Sequence, residues 1–246
     1  MAVIYKVLSA MDLEQQRMEL RSKNLAGTNI PGFKGETITN QDFDGFINKN
    51  NPTGQGTIRD GSHVDFTNGR IDRTGRDLDF AIGGEGFFEV ETPDGRQTFL
   101  TRNGRFTLNA DGELVTSSGH KVVGDTRLQF AQSDNLADLE VSQEGEIRIR
   151  QGNTYKTIGK LKIVTVDDFK DLKKLSSSLF QPNRPELVKE LDPEKIIVLG
   201  RSTEGANIST VKEMISMIDA MRKFEMGQKF LKLSDGLRNK EQQAFE

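Results

Sequence analysis

Residues 210–233 read TVKEMISMIDAMRKFEMGQKFLKL, and this stretch decides how the chain is built. Its apolar residues recur at heptad spacing: Met217, Phe224 and Leu231, with Met214 and Met221 offset by three. A seven-residue spacing keeps side chains on one face of a helix and favours coiled-coil-like packing against a second helix. We therefore predict a helix over residues 207–239 whose apolar stripe packs on a partner.

Three residues of this stretch bear on how the helix begins and packs. Thr210 with Glu213 fits the T-x-x-E capping box, in which two side chains satisfy backbone N–H groups at a helix start. Gly227 lies inside the stripe, although glycine destabilises a helix interior by about 1 kcal/mol relative to alanine. It indicates either a close approach of a second helix or simple tolerance.

The other end of the chain carries a matching stripe. Residues 2–27 are rich in helix formers, and one apolar residue falls in each heptad: Ile4, Met11, Met18 and Leu25. We predict a helix over this range that pairs with the C-terminal helix as a coiled-coil-like stalk. Ordering a long helix with one narrow stripe is entropically unfavourable, so we expect both ends to be largely disordered in the free subunit and to fold on assembly.

A turn motif follows the first helix. Asn24 precedes a helix end at which Gly27 can adopt a left-handed cap. Pro31 prevents the helix from continuing, Gly32 permits a sharp change of direction, and Phe33 is placed to pin the exit to a neighbour.

The middle of the chain is predicted to be an antiparallel β domain over residues 66–200. Turn dipeptides recur through it: Asn68-Gly69, Asp94-Gly95, Asn103-Gly104, Asp111-Gly112, Ser118-Gly119 and Glu144-Gly145. Asn-Gly and Asp-Gly supply the positive φ of tight hairpins. Strand-like runs lie between them: 87–90, 98–101, 106–108 and 160–166, with a further run at 196–199. The predicted fold class is α+β, divided into a helix and turn (1–34), an extended connector with one strand around 57–64 (35–65), the β domain (66–200) and the C-terminal helix (201–246).

Composition excludes several function classes. The 246 residues carry a net charge of −3 and no basic cluster typical of nucleic-acid binding. There is no cysteine, which excludes disulfides and thiolate metal sites. The N-terminal apolar run breaks at Lys6, so we expect no cleaved secretory signal, and no run is long enough to insert in a membrane. We expect no cofactor, metal or small-molecule substrate.

Catalytic patterns are weak. The two histidines, His63 and His120, lie in turn-rich segments and are expected at the surface. Asp77 and Asp79 are separated by one residue. Alternation along a strand would place both side chains on one side of the sheet, which explains the pair without a catalytic role. Residues 83–86 (GGEG) lack a phosphate-loop pattern and indicate a tight corner. We predict a protein that is not an enzyme; a hydrolase, or a β-rich surface- or carbohydrate-binding module with helical oligomerisation ends, are the alternatives.

Several blocks together resemble the flagellar rod and hook family of bacterial axial proteins. They are NLAGTNIPGFK at 24–34, NGRIDRTGRDLDFAI at 68–82 with GFF at 86–88, TRNGRF at 101–106 with GELVT at 112–116, EGANI at 204–208 and MISMIDAMRKFEM at 214–226. They occur in the family's order. In the first block Gly27 replaces an asparagine and Ile30 a threonine of the usual signature.

The resemblance implies a structural subunit of the basal-body rod in the periplasm, exported by the flagellar type III apparatus without a cleaved signal. Its implied partners are other rod and hook subunits, further copies of itself and the export apparatus. Residues 222–226 (RKFEM) look closer to the proximal rod type than to the distal type, which is the alternative. The nine heptad residues of the two ends are expected to pack between subunits, while Asn24, Pro31, Gly32 and Phe33 form the turn.

Overall fold

The computed structural model describes the backbone of residues 2–38 and 62–244, with the side chains of 4–38, 62–234 and 236. The predicted α+β class is confirmed: the chain has a helix at each end and an antiparallel β-rich core between them. Helix α1 spans Ala2–Gly27, and helix α2 spans Thr210–Ala244.

Eighteen short strands are found in the part of the chain that the structure describes. In chain order they are β1 (Glu36–Ile38), β2 (Ser62–Val64), β3 (Ile71–Arg73), β4 (Phe80–Ile82), β5 (Phe87–Glu91), β6 (Thr98–Thr101), β7 (Phe106–Leu108), β8 (Leu114–Thr116), β9 (Lys121–Val122), β10 (Leu139–Val141), β11 (Glu146–Gln151), β12 (Thr154–Lys160), β13 (Ile163–Val166), β14 (Leu172–Lys174), β15 (Leu179–Pro182), β16 (Val188–Glu190), β17 (Val198–Gly200) and β18 (Ser202–Glu204). Every pairing is antiparallel, as predicted.

The residues divide into two compact units. The helical unit contains Met1–Ala26, Glu36–Val64 and Ile208–Glu246, and the central unit contains Gly27–Gly35 and Asp65–Asn207. In the helical unit β1 pairs with β2. None of the described helices is both long enough and apolar enough to cross a membrane.

The core of the central unit lies on its largest sheet. Strands β14-β15-β6-β5-β9-β8-β7 follow one another across that sheet, and β13 joins β5 to β16. Phe80, Phe88 and Phe106 are fully buried at its centre, with the rings of Phe88 and Phe106 edge to face at 5.3 Å. Burying aromatic side chains in this way is a main source of stability for the sheet.

Three smaller sheets complete the central unit. Strands β10-β11-β12 form one of them, β17 pairs with β4, and β18 pairs with β3. The chain therefore returns along β17 and β18 to strands formed more than a hundred residues earlier.

The predicted strands need two corrections. The run 160–166 is not one strand, because β12 ends at Lys160 and β13 begins at Ile163. The strand predicted around 57–64 appears as β2, and the rest of that range lies outside the described residues.

The turn glycines fall into two groups. Gly95, Gly112, Gly119 and Gly145 have positive φ, as predicted. The two Asn-Gly glycines do not, and they are required for close packing instead. A Cβ on Gly104 would lie 1.7 Å from the carbonyl oxygen of Phe80.

Candidate functional site

The inner face of α2 has a strict heptad pattern. Its less exposed residues are spaced alternately by four and three: Glu213, Met217, Ala220, Phe224, Gly227, Leu231 and Ser234. The predicted residues Met217, Phe224 and Leu231 thus lie on this half-buried face. Met214 and Met221, in contrast, are 51% and 45% exposed at the edge of this face.

Helix α1 carries the matching face. Its half-buried or buried residues with the same alternating spacing are Ile4, Val7, Met11, Glu14, Met18, Arg21 and Leu25, which include all four predicted positions. A second line on α1 was missed: Leu13 and Leu20 are each only 7% exposed. Their own seven-residue spacing is the sequence signal that would have found them.

The two helices contact each other in antiparallel orientation. A Cβ on Gly227 would lie 2.6 Å from Cγ of Met11, so the glycine marks a close approach rather than simple tolerance. Near the other end of the pair, Arg21 Nη1 donates to Glu213 Oε1 at 3.0 Å. Because the later residue of α1 meets the earlier residue of α2, the helices run in opposite directions.

The capping-box prediction at the start of α2 is wrong by one residue. The Glu213 amide donates to the Ser209 carbonyl at 3.0 Å, which places Ser209 at the N-cap and makes Thr210 the first helical residue. Both carboxylate oxygens of Glu213 accept from Arg21 instead of reaching back to the helix start.

At the end of α1 the buried side chain of Asn24 holds β1. Its Nδ2 donates to the Glu36 carbonyl at 2.9 Å, and its Oδ1 accepts from the Glu36 amide at 3.0 Å. Asn24 is only 1% exposed and satisfies both backbone groups of one residue, as a neighbouring strand would.

The exit turn belongs to the central unit and depends on two glycines. Gly27 lacks the expected left-handed conformation; it is required because a Cβ there would lie 2.2 Å from the ring of Phe33. Gly32 has φ of +67°, and a Cβ there would lie 2.3 Å from the backbone of Arg102. Pro31 is half-buried between them, and Phe33 is 3% exposed. The ammonium of Lys174 lies 4.1 Å from the centre of the Phe33 ring, a cation–π contact.

The carboxylate of Glu204 is the centre of a buried cluster. One oxygen accepts from Lys34 Nζ at 2.7 Å and from the Gly69 amide at 2.7 Å. The other accepts from Arg102 Nη1 at 3.2 Å. Lys34, Arg102 and Glu204 are 1%, 4% and 1% exposed, so two cations and one anion share a site without solvent.

Backbone carbonyls complete this cluster. Lys34 Nζ also donates to the Thr67 carbonyl at 2.7 Å, and Arg102 Nη2 donates to the Gly84 carbonyl at 2.7 Å. Burial lowers the pKa of Lys34 and that of Arg102 despite the attraction of Glu204. An isolated buried charge is very unfavourable. The three charged side chains can therefore be buried only because these contacts compensate them.

Further hydrogen bonds tie together the segments that hold these residues. The Gly32 amide donates to the Glu204 carbonyl at 2.7 Å, and the Gly35 amide donates to Asn207 Oδ1 at 2.8 Å. Asn207 Nδ2 donates in turn to the Asp65 carbonyl at 2.6 Å. We call the set Lys34, Gly69, Arg102, Glu204 and Asn207, with the bonds around it, the motif clamp.

The motif clamp gathers four of the sequence blocks described above. Lys34 ends the first block, Gly69 is the second residue of the second, Arg102 lies in the third, and Glu204 with Asn207 lies in the fourth. From the sequence, Gly69 was predicted only as a turn residue and the other four had no predicted role, although a charged residue in each of three blocks was the available signal. The arrangement fixes backbone segments and leaves no open face around the carboxylate.

The catalytic candidates do not form a site. His63 is exposed, whereas His120 is half-buried against Phe99, contrary to the surface position expected for it. Asp77 binds Arg201 at 2.9 Å, while Asp79 is fully buried and accepts from a threonine, so the two do not face one side. Both residues precede β4 rather than lie within a strand, so the prediction that strand alternation places them on one side does not hold.

Two other sites considered from the sequence have plain structural roles. Gly86 has φ of +112° and turns the chain tightly into β5, as predicted for the GGEG segment. Among the described residues, no three acidic or histidine side chains come together as a metal site would need.

The described fold is a β-rich domain whose chain enters through one long helix and leaves through another. Comparison with protein families agrees with this class. The FlgE/F/G D1 domain of flagellar hook proteins matches residues 81–149, and the C-terminal region of the flagellar basal-body rod FlgEFG proteins matches residues 200–244. Two separate regions of the chain thus match flagellar rod and hook proteins.

Whole-chain relatives extend the match. The flagellar basal-body rod protein FlgG of Agrobacterium fabrum is 29% identical over 251 residues, which cover 92% of this chain and 93% of that protein. The rod protein FlgF of Rhizobium meliloti is 28% identical over 235 residues, covering 95% of this chain and 93% of the relative. FlgF of Caulobacter vibrioides is 28% identical over 225 residues, with 90% and 89% covered. The resemblance derived from the sequence blocks is therefore confirmed.

Proposed function

We propose that this chain is a structural subunit of the bacterial flagellar basal-body rod, assembled through α1 and α2 into a hollow, torque-transmitting axial structure. Its relatives are rod proteins by name. Packing and shape, rather than chemistry at a site, are the mechanism, and we propose that the chain is not an enzyme.

The single observation that carries this proposal is that α2 has a second, exposed apolar surface besides the face that packs on α1. One face packs on α1, as described above. The other is exposed and carries Val211 (66%), Met214 (51%), Ile215 (56%), Ile218 (48%) and Met221 (45%). Burying a large apolar side chain contributes roughly 1.5–3 kcal/mol. A contiguous exposed apolar face of this kind typically marks a protein–protein contact.

We propose that α1 and α2 pair as a coiled-coil-like stalk. The Met11–Gly227 contact supports a register in which large residues face small ones. One heptad along each helix, the same register sets Met18 opposite Ala220, which is 3% exposed. Phe224 then faces Glu14, so each helix contributes its large side chains in alternation.

The position of the subunit along the rod is also a proposal. FlgF and FlgG relatives are 28% and 29% identical to the chain, so identity favours neither. The segment 222–226 supports the proximal rod, with the distal rod as the alternative. We further propose a periplasmic location and export by the flagellar apparatus without signal cleavage. Partners are other rod and hook subunits and further copies of the chain.

The parts of the chain would divide the work. We propose that residues 1–34 and 201–246 form the axial core, that 35–65 connect it and that 66–200 lie outside. The helices would be largely disordered in the free subunit and fold on assembly, because a single helix pair leaves the outer face of α2 in water. Slow amide exchange of residues 4–30 in the purified monomer would contradict this.

A substitution test separates assembly from folding. Met217→Asp or Phe224→Asp introduces a charge on the inner face of α2 and should stop assembly, while circular dichroism still reports a folded β domain. The matched control is Gln228→Asp on an exposed position of the same helix. Wild-type swimming in both inner-face variants would refute the packing basis of the proposal.

Deletion of the gene tests the assignment itself. Electron microscopy of basal bodies should show a truncated or absent rod without a hook, in cells that do not swim. The length of any remaining rod would place the subunit along the axis. Intact rods in swimming cells would refute the rod assignment and leave the surface-binding alternative.

A further inference from the structure

A groove runs between α1 and α2 on one side of the helix pair. It has a volume of about 470 Å³, and its walls include Val7, Met11, Met226 and Phe230. Gly227 also lines it, at the point where Met11 approaches α2 so closely that a Cβ would lie 2.6 Å from its Cγ. Met226 is 60% and Phe230 44% exposed, so the groove is an open apolar surface in the single chain.

The same helix carries a second apolar surface nearer its start. Val211, Met214, Ile215 and Ile218 are all about half exposed or more and project as a ridge. Residues spaced by three and four form such ridges on a helix, and ridges pack into grooves of a second helix. The ridge lies twelve residues, or about three turns, from the groove, so one chain cannot fill its own groove with its own ridge.

The ridge and the groove have the same axial spacing. Adding twelve residues to each ridge position gives 223, 226, 227 and 230, and all four of these line the groove. With two α2 helices parallel, Ile215 of one copy would stand over Gly227 of the next, and Ile218 would come level with Phe230. At 1.5 Å per residue the shift is about 18 Å along the helix axis.

We propose that the groove of each subunit receives the α2 ridge of a second copy of this chain, head to tail. This inference rests on the proposed rod function and names the contact that function uses. A contact between two different patches is heterologous, so it can continue from copy to copy instead of closing a symmetric dimer.

The size of the patches explains why free chains would not pair. A stable complex needs about 800 Å² of surface from each partner, whereas patches of a few exposed side chains supply a few hundred Å². The ridge–groove contact therefore holds only when several neighbours meet at once, as they do in a lattice.

The absence of cysteine makes a crosslinking test direct. The double variant Ile215→Cys/Met226→Cys replaces the chromosomal copy, basal bodies are purified, and mild oxidation is followed by electrophoresis without reductant. The expected result is covalent dimers and larger multiples of the chain from the double variant, and monomer from each single-cysteine variant. If the double variant does not swim, Ile218→Cys/Phe230→Cys probes the same contact.

The other outcomes separate this inference from the function on which it rests. Dimers from Ile215→Cys alone would show a ridge-to-ridge contact and overturn the head-to-tail proposal. Monomer only, with the chain present in the basal bodies, would overturn it while leaving the rod function intact. Absence of the chain from basal bodies of swimming cells would refute the rod function itself.

Discussion

Glu204→Gln should be among the most damaging single substitutions in the central unit. Its carboxylate is 1% exposed and is the anion that faces both buried cations of the motif clamp, Lys34 and Arg102. Glutamine has the same shape but no charge, and its amide nitrogen would oppose a donor. Removing one partner of a buried ion pair destabilises a protein by about 3–5 kcal/mol, because the remaining charge is left uncompensated.

The size of the effect can be read in several ways. At the 2–4 °C per kcal/mol typical of chains of 150–250 residues, the melting temperature should fall by about 6–20 °C. Urea unfolding followed by circular dichroism gives the free energy. Hydrogen exchange should show the loss in strands β3, β4 and β18 around the clamp. Glu194→Gln, on an exposed residue, is the matched control.

A second substitution tests the reasoning behind the magnitude. Lys34→Met removes one buried cation but leaves Glu204 with two donors, Arg102 and the Gly69 amide. The free energy of unfolding should therefore fall by less, about 1–2 kcal/mol. The double variant should then lower the free energy of unfolding by less than the sum of the two single variants. A Glu204→Gln protein within about 1 kcal/mol of wild type, a value at the level of one hydrogen bond, would refute the claim that the cluster depends on this anion.

Two further predictions concern single residues of the central unit. Gly27→Ala should lower the melting temperature, because its Cβ would lie 2.2 Å from the ring of Phe33. This clash should outweigh the preference of alanine for a helix, which is about 1 kcal/mol. A raised melting temperature would show that the ring moves aside freely. Glu113 is 3% exposed. Burial alone would raise its pKa, but hydrogen bonds from Asn109, Lys121 and Arg127 outweigh burial and lower the pKa from 4.5 to about 2. The folded-state pKa is depressed, so this stabilisation is present above pH 4.5, amounts to about 3 kcal/mol, and is lost as the pH falls towards 2. Glu113→Gln should therefore be less stable than wild type at pH 7 in urea titrations and should converge with it near pH 2; a constant difference across this range would contradict the assignment.

Local sequence patterns predicted most of the secondary structure. The helix expected over 2–27 is α1, and the strands expected at 98–101 and 106–108 are β6 and β7. These predictions succeeded because heptad spacing, alternation and turn dipeptides act within a few residues. The prediction of one strand over 160–166 failed because the β13 portion pairs with β5 and β16, which are distant in the chain.

The helix stripes could be predicted only in part. Spacing identified Met217, Phe224 and Leu231 on the face that meets α1. It could not show that their companions are small residues such as Gly227, or that Met214 is exposed. A helix that is apolar on two faces gives no sign in its sequence of which face meets its own chain and which meets another.

By itself, the sequence determined the two helices, the antiparallel β class and the family, since these depend on short patterns and ordered motif blocks. Only the tertiary structure decided why those blocks occur together. Lys34, Arg102 and Glu204 are separated by 68 and 102 residues, yet their side chains meet out of solvent. No local spacing encodes that meeting, because the stability of a buried charge depends on which distant groups surround it once the chain has folded.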